Sequence, residues 1–179
     1  MLQRIFQYIF LFIVAGVLAL IQFSLLNSLF WPWNNLDLIM VAIILAFLVF
    51  NREKTWLLAA ASGWFLDSWG FHPFGLSFLS LFLSAVLVYF VLENVLTNRS
   101  LYSFLLLTAI GIIFKSFLFQ LFLLIFDWSG SVKNFFLIQI SFWESLFWSL
   151  LLGLLIVGLF FNLLSSANRR LQPFFLKRR

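Results

Sequence analysis

From Ile5 to about Phe30 the chain runs without a single charged side chain. As a helix, those 26 residues rise about 39 Å at 1.5 Å per residue, more than a hydrocarbon core of about 30 Å. In water such a helix would have to bury its whole circumference. In a bilayer it needs only backbone hydrogen bonds satisfied within the segment. The run exceeds the apolar core of a signal peptide, about 7–15 residues, and no small-residue cleavage site closes it. It is expected to persist as a first membrane span.

The remainder of the chain repeats this pattern of apolar runs and short polar gaps. The segments Trp31-Pro32-Trp33-Asn34-Asn35, Asn51-Arg52-Glu53-Lys54, Gly70 to Gly75, Thr97-Asn98-Arg99-Ser100 and Asp127 to Asn134 separate runs that read as helices. Spans are expected at about 5-30, 36-50, 55-69, 76-96, 101-126 and 135-164, followed by a tail at 165-179. The second and third are about 15 residues each, about 22 Å, and fall short of the bilayer core. They could thin the bilayer or re-enter it, but the charges at 51–54 need water, which favours two short crossings. With 64% apolar residues, 9% charged and a mean hydropathy of +1.12, far from the soluble average of about 25% charged, the expected fold is all-α. It is a polytopic membrane helical bundle of six spans in one domain.

Positive charge gives the expected orientation. With six spans and the N-terminus inside, Arg4, Arg52, Lys54, Arg99 and the tail residues Arg169, Arg170, Lys177, Arg178 and Arg179 lie on the inner side, nine in all. The outer loops hold Lys133 alone, and Lys115 falls within a span. The positive-inside rule then places both termini in the cytoplasm. The five tail cations also account for the net charge of +5. Just past a membrane helix they read as an anchor on anionic lipid, worth about 1 kcal/mol each near the surface, rather than as a nucleic-acid site. Trp31, Trp33, Trp56, Trp69 and Trp128 fall where interfacial anchors are expected.

Chemistry is sparse. The chain has no cysteine and one histidine, His72, which excludes disulfides, thiolate metal sites, cysteine nucleophiles and a histidine metal cluster. Ser-x-x-Lys, paired intramembrane aspartates and phosphate loops do not occur. The gaps between runs are under about ten residues, too short for a soluble catalytic domain. No enzyme, cofactor or metal is expected.

The ionisable residues Asp67, Lys115 and Glu144 fall within expected spans. Each costs about 2.5–3.5 kcal/mol at mid-bilayer, so each needs protein or water as a partner. Lys115 lies about 16 Å from the outer end of the fifth span by helix rise, and Glu144 about 14 Å into the sixth. A Lys115–Glu144 ion pair is expected, as a structural clasp or, alternatively, part of a transport path. Ala59, Gly63 and Asp67 recur every fourth residue and share one face of the third span. Small residues there allow close helix approach, and the carboxylate should find turn amides, His72 or the Ser77/Ser80/Ser84 stripe of the next helix. A local cap and a partner or ligand contact both remain open. Ser141, Ser145, Ser149 and Gly153 form another close-packing seam, and Ala15 with Ala19 a weaker one.

The run Gly63-Trp64-Phe65-Leu66-Asp67 with Pro73-Phe74-Gly75 after it resembles the rod shape-determining MreD family of bacterial membrane proteins. That family looks like G-x-x-x-D, a short Gly/Ser turn and a P/T-L-G step opening a long apolar helix. The likeness extends to length, a basic hairpin turn before the motif, six spans and a basic end, although Phe74 stands where Leu is usual. The resemblance implies a non-enzymatic part of the cell-elongation machinery in the cytoplasmic membrane. It would bind an MreC-like single-span protein and wall-synthesis enzymes, a RodA-type glycosyltransferase and its penicillin-binding transpeptidase. Carried onto this chain, it points to Gly63, Asp67, Pro73 and Gly75.

A competing resemblance is to the substrate-binding S-components of energy-coupling-factor vitamin transporters, six-span proteins whose fold MreD shares. Ala15 and Ala19 could mimic their docking face. Short outer loops with few polar residues speak against a vitamin site.

Overall fold

The computed structural model describes residues 2–26, 28–49, 52–70, 73–94, 101–126 and 140–175. Helix α1 (Leu2–Leu20) continues into a π-helical segment (Ile21–Leu26), and a single 3-10 turn (Trp33–Asn35) leads to α2 (Leu38–Val49). Then follow α3 (Arg52–Trp69), α4 (Leu76–Asn94), α5 (Leu101–Phe126) and α6 (Ile140–Phe175). Among the described residues there is no strand.

Among the described residues four segments are long and apolar enough to cross a membrane: Phe6–Ser24, Leu76–Asn94, Leu101–Ile125 and Ile140–Phe161. By length and composition the chain is a multi-pass helical membrane protein. Helix α6 runs past the expected end of its span at Leu164 and carries Arg169 and Arg170 as helix positions. The side chains of Arg169 and Arg170, and all of Lys177, Arg178, Arg179 and His72, lie outside the described residues.

The shortest helix is the centre of the bundle. Helix α2, 12 residues or about 18 Å long, packs against α1, α3, α4, α5 and α6. Ile39, Met40, Val41, Ile43, Ile44, Ala46 and Phe47 are all buried. Only the stripe of Leu38, Ala42 and Leu45 is partly exposed, so α2 has little lipid thickness to match and its length is set mainly by its neighbours. This accounts for a sequence that is hydrophobic all round.

Contacts at the two ends fix how the helices run. At one end Tyr8 of α1 donates to Glu53 of α3 at 3.3 Å, and Arg52 of α3 pairs with Glu93 of α4 while lying over the Tyr89 ring. Phe47 at the close of α2 joins Trp56 and Tyr89 in an aromatic cluster there. We call this the Arg52 end. At the other, Gln22 meets the start of α2, α3 turns into α4, and Trp31 stacks edge-on against Trp148 of α6 at 5.0 Å. Helix α3 is therefore parallel to α1 and antiparallel to α4, and α2 leads from the far end back to the Arg52 end.

Candidate functional site

The best-defined polar site joins α3 to α4. Asp67, buried to 6% exposure, accepts three backbone N–H groups: Gly75 at 3.0 Å, Ser77 at 2.8 Å and Phe78 at 2.9 Å. The remaining amide of that turn, Leu76, donates to the Pro73 carbonyl at 3.3 Å, and the Gly75 carbonyl accepts the Leu79 N–H at 2.9 Å. A helix N-terminus leaves four N–H groups without intrahelical partners. Here residues 75 to 78 are all satisfied, one by a turn carbonyl and three by a single carboxylate from the preceding helix. The charge also lies where the α4 dipole is positive.

The other motif residues make this geometry possible. Gly75 has φ +98, a left-handed conformation that glycine adopts without steric cost, and it reverses the chain into α4. Pro73 lies just before it in the turn and is exposed. One turn above Asp67, a Cβ on Gly63 would stand 2.8 Å from the Cα of Phe78, so only glycine lets the two backbones approach this closely. Ala59, one turn further, is fully buried. Ala59, Gly63 and Asp67 thus form one buried face of α3, as their spacing suggests.

Of the serine stripe, Ser77 reaches Asp67 through its backbone N–H, not as a side-chain donor. Ser80 and Ser84 are fully buried, but their hydroxyls return to carbonyls of their own helix, at Ser77 and Ser80. Among the described residues the carboxylate is met by main-chain N–H groups alone. Beside this closed device, Trp64 and Phe74 stand edge to face at 5.7 Å, 56% and 67% exposed.

A second buried carboxylate, Asp37, organises the start of α2. Its Oδ1 accepts the Met40 N–H at 3.2 Å as a helix cap, and its Oδ2 receives the Lys115 ammonium at 2.5 Å. Both side chains are largely buried, at 10% and 17% exposure. Gln22, in the π-helical segment, clamps the neighbouring backbone. Its Nε2 donates to the Leu36 carbonyl and its Oε1 accepts the Leu38 N–H, both at 2.8 Å. Charge neutralisation and hydrogen bonding together allow a helix to begin inside the bundle.

This corrects the expected Lys115–Glu144 pair. Lys115 is bound to Asp37, and Glu144 is exposed. The physical reason is depth. Glu144 stands exposed at the rim of the bundle rather than about 14 Å deep. It lies one turn beyond Trp148, which already meets Trp31 of the loop at that end. Asp37 opens an expected span, where an aspartate before an apolar run signals a helix cap. That signal marks the cap but not its partner in α5. The α6 seam is likewise only half used: Ser149 and Gly153 are buried, whereas Ser141 and Ser145 are exposed.

Among the described residues no group of His, Cys, Asp and Glu could hold a metal ion. Both buried carboxylates are engaged by internal donors, so the arrangement suits holding helices in place more than proton transfer or ligand binding. No family model, curated protein or solved structure matches the chain.

Proposed function

We propose that this protein is a non-enzymatic membrane scaffold of the bacterial elongation machinery, an MreD-like protein that helps to position peptidoglycan synthesis and maintain rod shape. It crosses the cytoplasmic membrane six times with both termini in the cytoplasm, α2 and α3 being its two short crossings. Its partners are an MreC-like single-span protein and the wall-synthesis enzymes, a RodA-type glycosyltransferase and a penicillin-binding transpeptidase.

The observation that carries this reading is that the four residues of the resemblance build one physical device. Gly63 admits the α4 backbone, Asp67 caps it, and Pro73 and Gly75 form the turn between. Such a device fixes the shape of a helical hairpin and does no chemistry. With the carboxylate consumed internally, the hairpin presents the aromatic pair Trp64 and Phe74 outward. Large aromatic side chains are the commonest anchors of protein interfaces.

The test is affinity purification of the tagged full-length chain from its native membranes. Co-purification of an MreC-like protein and the wall-synthesis enzymes is the expected result. Tight, saturable vitamin binding by the purified chain, without those proteins, would replace this reading with that of a transporter S-component.

A further inference from the structure

At the Arg52 end a cleft of about 340 Å³ opens between α1 and α3, lined by Phe6, Gln7, Phe10, Leu11 and Lys54. Its size falls within the range of small-ligand sites, about 300–1,000 Å³. The lining is divided by chemistry. Leu11 forms a buried floor, Phe6 and Phe10 are 72% and 58% exposed along the outer side of α1, and Gln7 and Lys54 supply the polar groups. The exposed face of a first span looks onto acyl chains, so the cleft opens toward lipid.

The two charged residues that precede Lys54 on α3 are engaged by other partners. Arg52 is bound to Glu93, and Glu53 accepts the Tyr8 hydroxyl. Among the described residues no carboxylate lies within ion-pair distance of the Lys54 ammonium, although the residue is partly buried. A partly buried cation beside apolar walls gains from a counter-charge. Phosphate of an acidic phospholipid offers that charge together with chains that cover Phe6 and Phe10.

We infer that this cleft binds one acidic phospholipid, its phosphate held by the Lys54 ammonium and the Gln7 carboxamide and one acyl chain laid along Phe6 and Phe10. The site is distinct from the diffuse attraction of the basic tail, and it rests on membrane embedding rather than on the scaffold role. It ties α1 to α3 on the lipid side, next to the Tyr8–Glu53 contact.

Native mass spectrometry of the full-length protein in detergent tests this, with phosphatidylglycerol and phosphatidylcholine of identical chains supplied in equal amounts. Wild type is expected to retain phosphatidylglycerol about fivefold over phosphatidylcholine, the worth of one basic side chain at an anionic headgroup. Lys54→Gln is expected to lose the preference, Lys54→Arg to keep it, and Arg178→Gln/Arg179→Gln to leave it unchanged. Inorganic phosphate at the lipid's concentration should not displace the lipid, because it cannot cover the aromatic wall. Absence of preference in wild type, an unaltered preference in Lys54→Gln, or displacement by inorganic phosphate would each overturn the proposal.

Discussion

Gly63 of α3 and Phe78 of α4 meet backbone to backbone: a Cβ placed on Gly63 would lie 2.8 Å from the Phe78 Cα. A main-chain atom cannot move aside as a flexible side-chain end can, so Gly63→Ala must push the helices apart. The expected cost is about 1–3 kcal/mol, seen as a lower melting temperature in detergent. Gly158, whose Cβ would meet nothing within 4 Å, is the control. Gly158→Ala should be neutral or stabilise by up to about 1 kcal/mol through helix propensity.

Asp67 presents two oxygens to three amides, Oδ1 to Ser77 and Oδ2 to Gly75 and Phe78. Asparagine keeps one acceptor and turns an N–H₂ toward the remaining donor, while alanine leaves all three unmet. Each buried donor left unmet costs about 1–3 kcal/mol. Stability should therefore fall in the order wild type, Asp67→Asn, Asp67→Ala. Hydrogen exchange should report it locally, with amides 75 to 78 losing protection before the rest of α4. Equal exchange in all three proteins would show that the cap does not hold the hairpin.

The Lys115–Asp37 pair predicts a rescue. Lys115→Met leaves a buried carboxylate alone and should cost about 3–5 kcal/mol. Adding Asp37→Asn removes that charge and keeps a good helix cap, so the double variant should recover much of the loss in a detergent melting series. Glu144→Gln should change stability by less than about 0.5 kcal/mol, as expected of an exposed side chain.

These contrasts also show what the sequence carried. Helix α4 starts at Leu76, where its span is expected, because Pro73 and Gly75 punctuate the hydropathy there. The Asp67 device was partly legible because its partners lie 8 to 11 residues away and its small residues share one helical face. What hydropathy could not supply was the depth of each helix end. Depth counted along an apolar run holds only if every span starts at the membrane surface. Instead α2 starts within the bundle, level with Gln22, and Trp148, one turn past Glu144 on α6, already meets Trp31 of the loop at that end. A partner 78 residues distant in sequence follows from that three-dimensional offset. The π-helical segment that places Gln22 beside α2 left no mark in the apolar pattern.

The central claim is that Asp67 is used up inside the α3–α4 hairpin and that the aromatic pair beside it is what a partner grips. The direct measurement is co-purification of the MreC-like protein with full-length wild type and with Trp64→Ala/Phe74→Ala, after showing that both melt at similar temperatures. The account predicts that the folded double variant loses the partner, by about tenfold or more if the pair contributes the roughly 2 kcal/mol of an interface hot spot. Full retention of the partner by the folded double variant would contradict it.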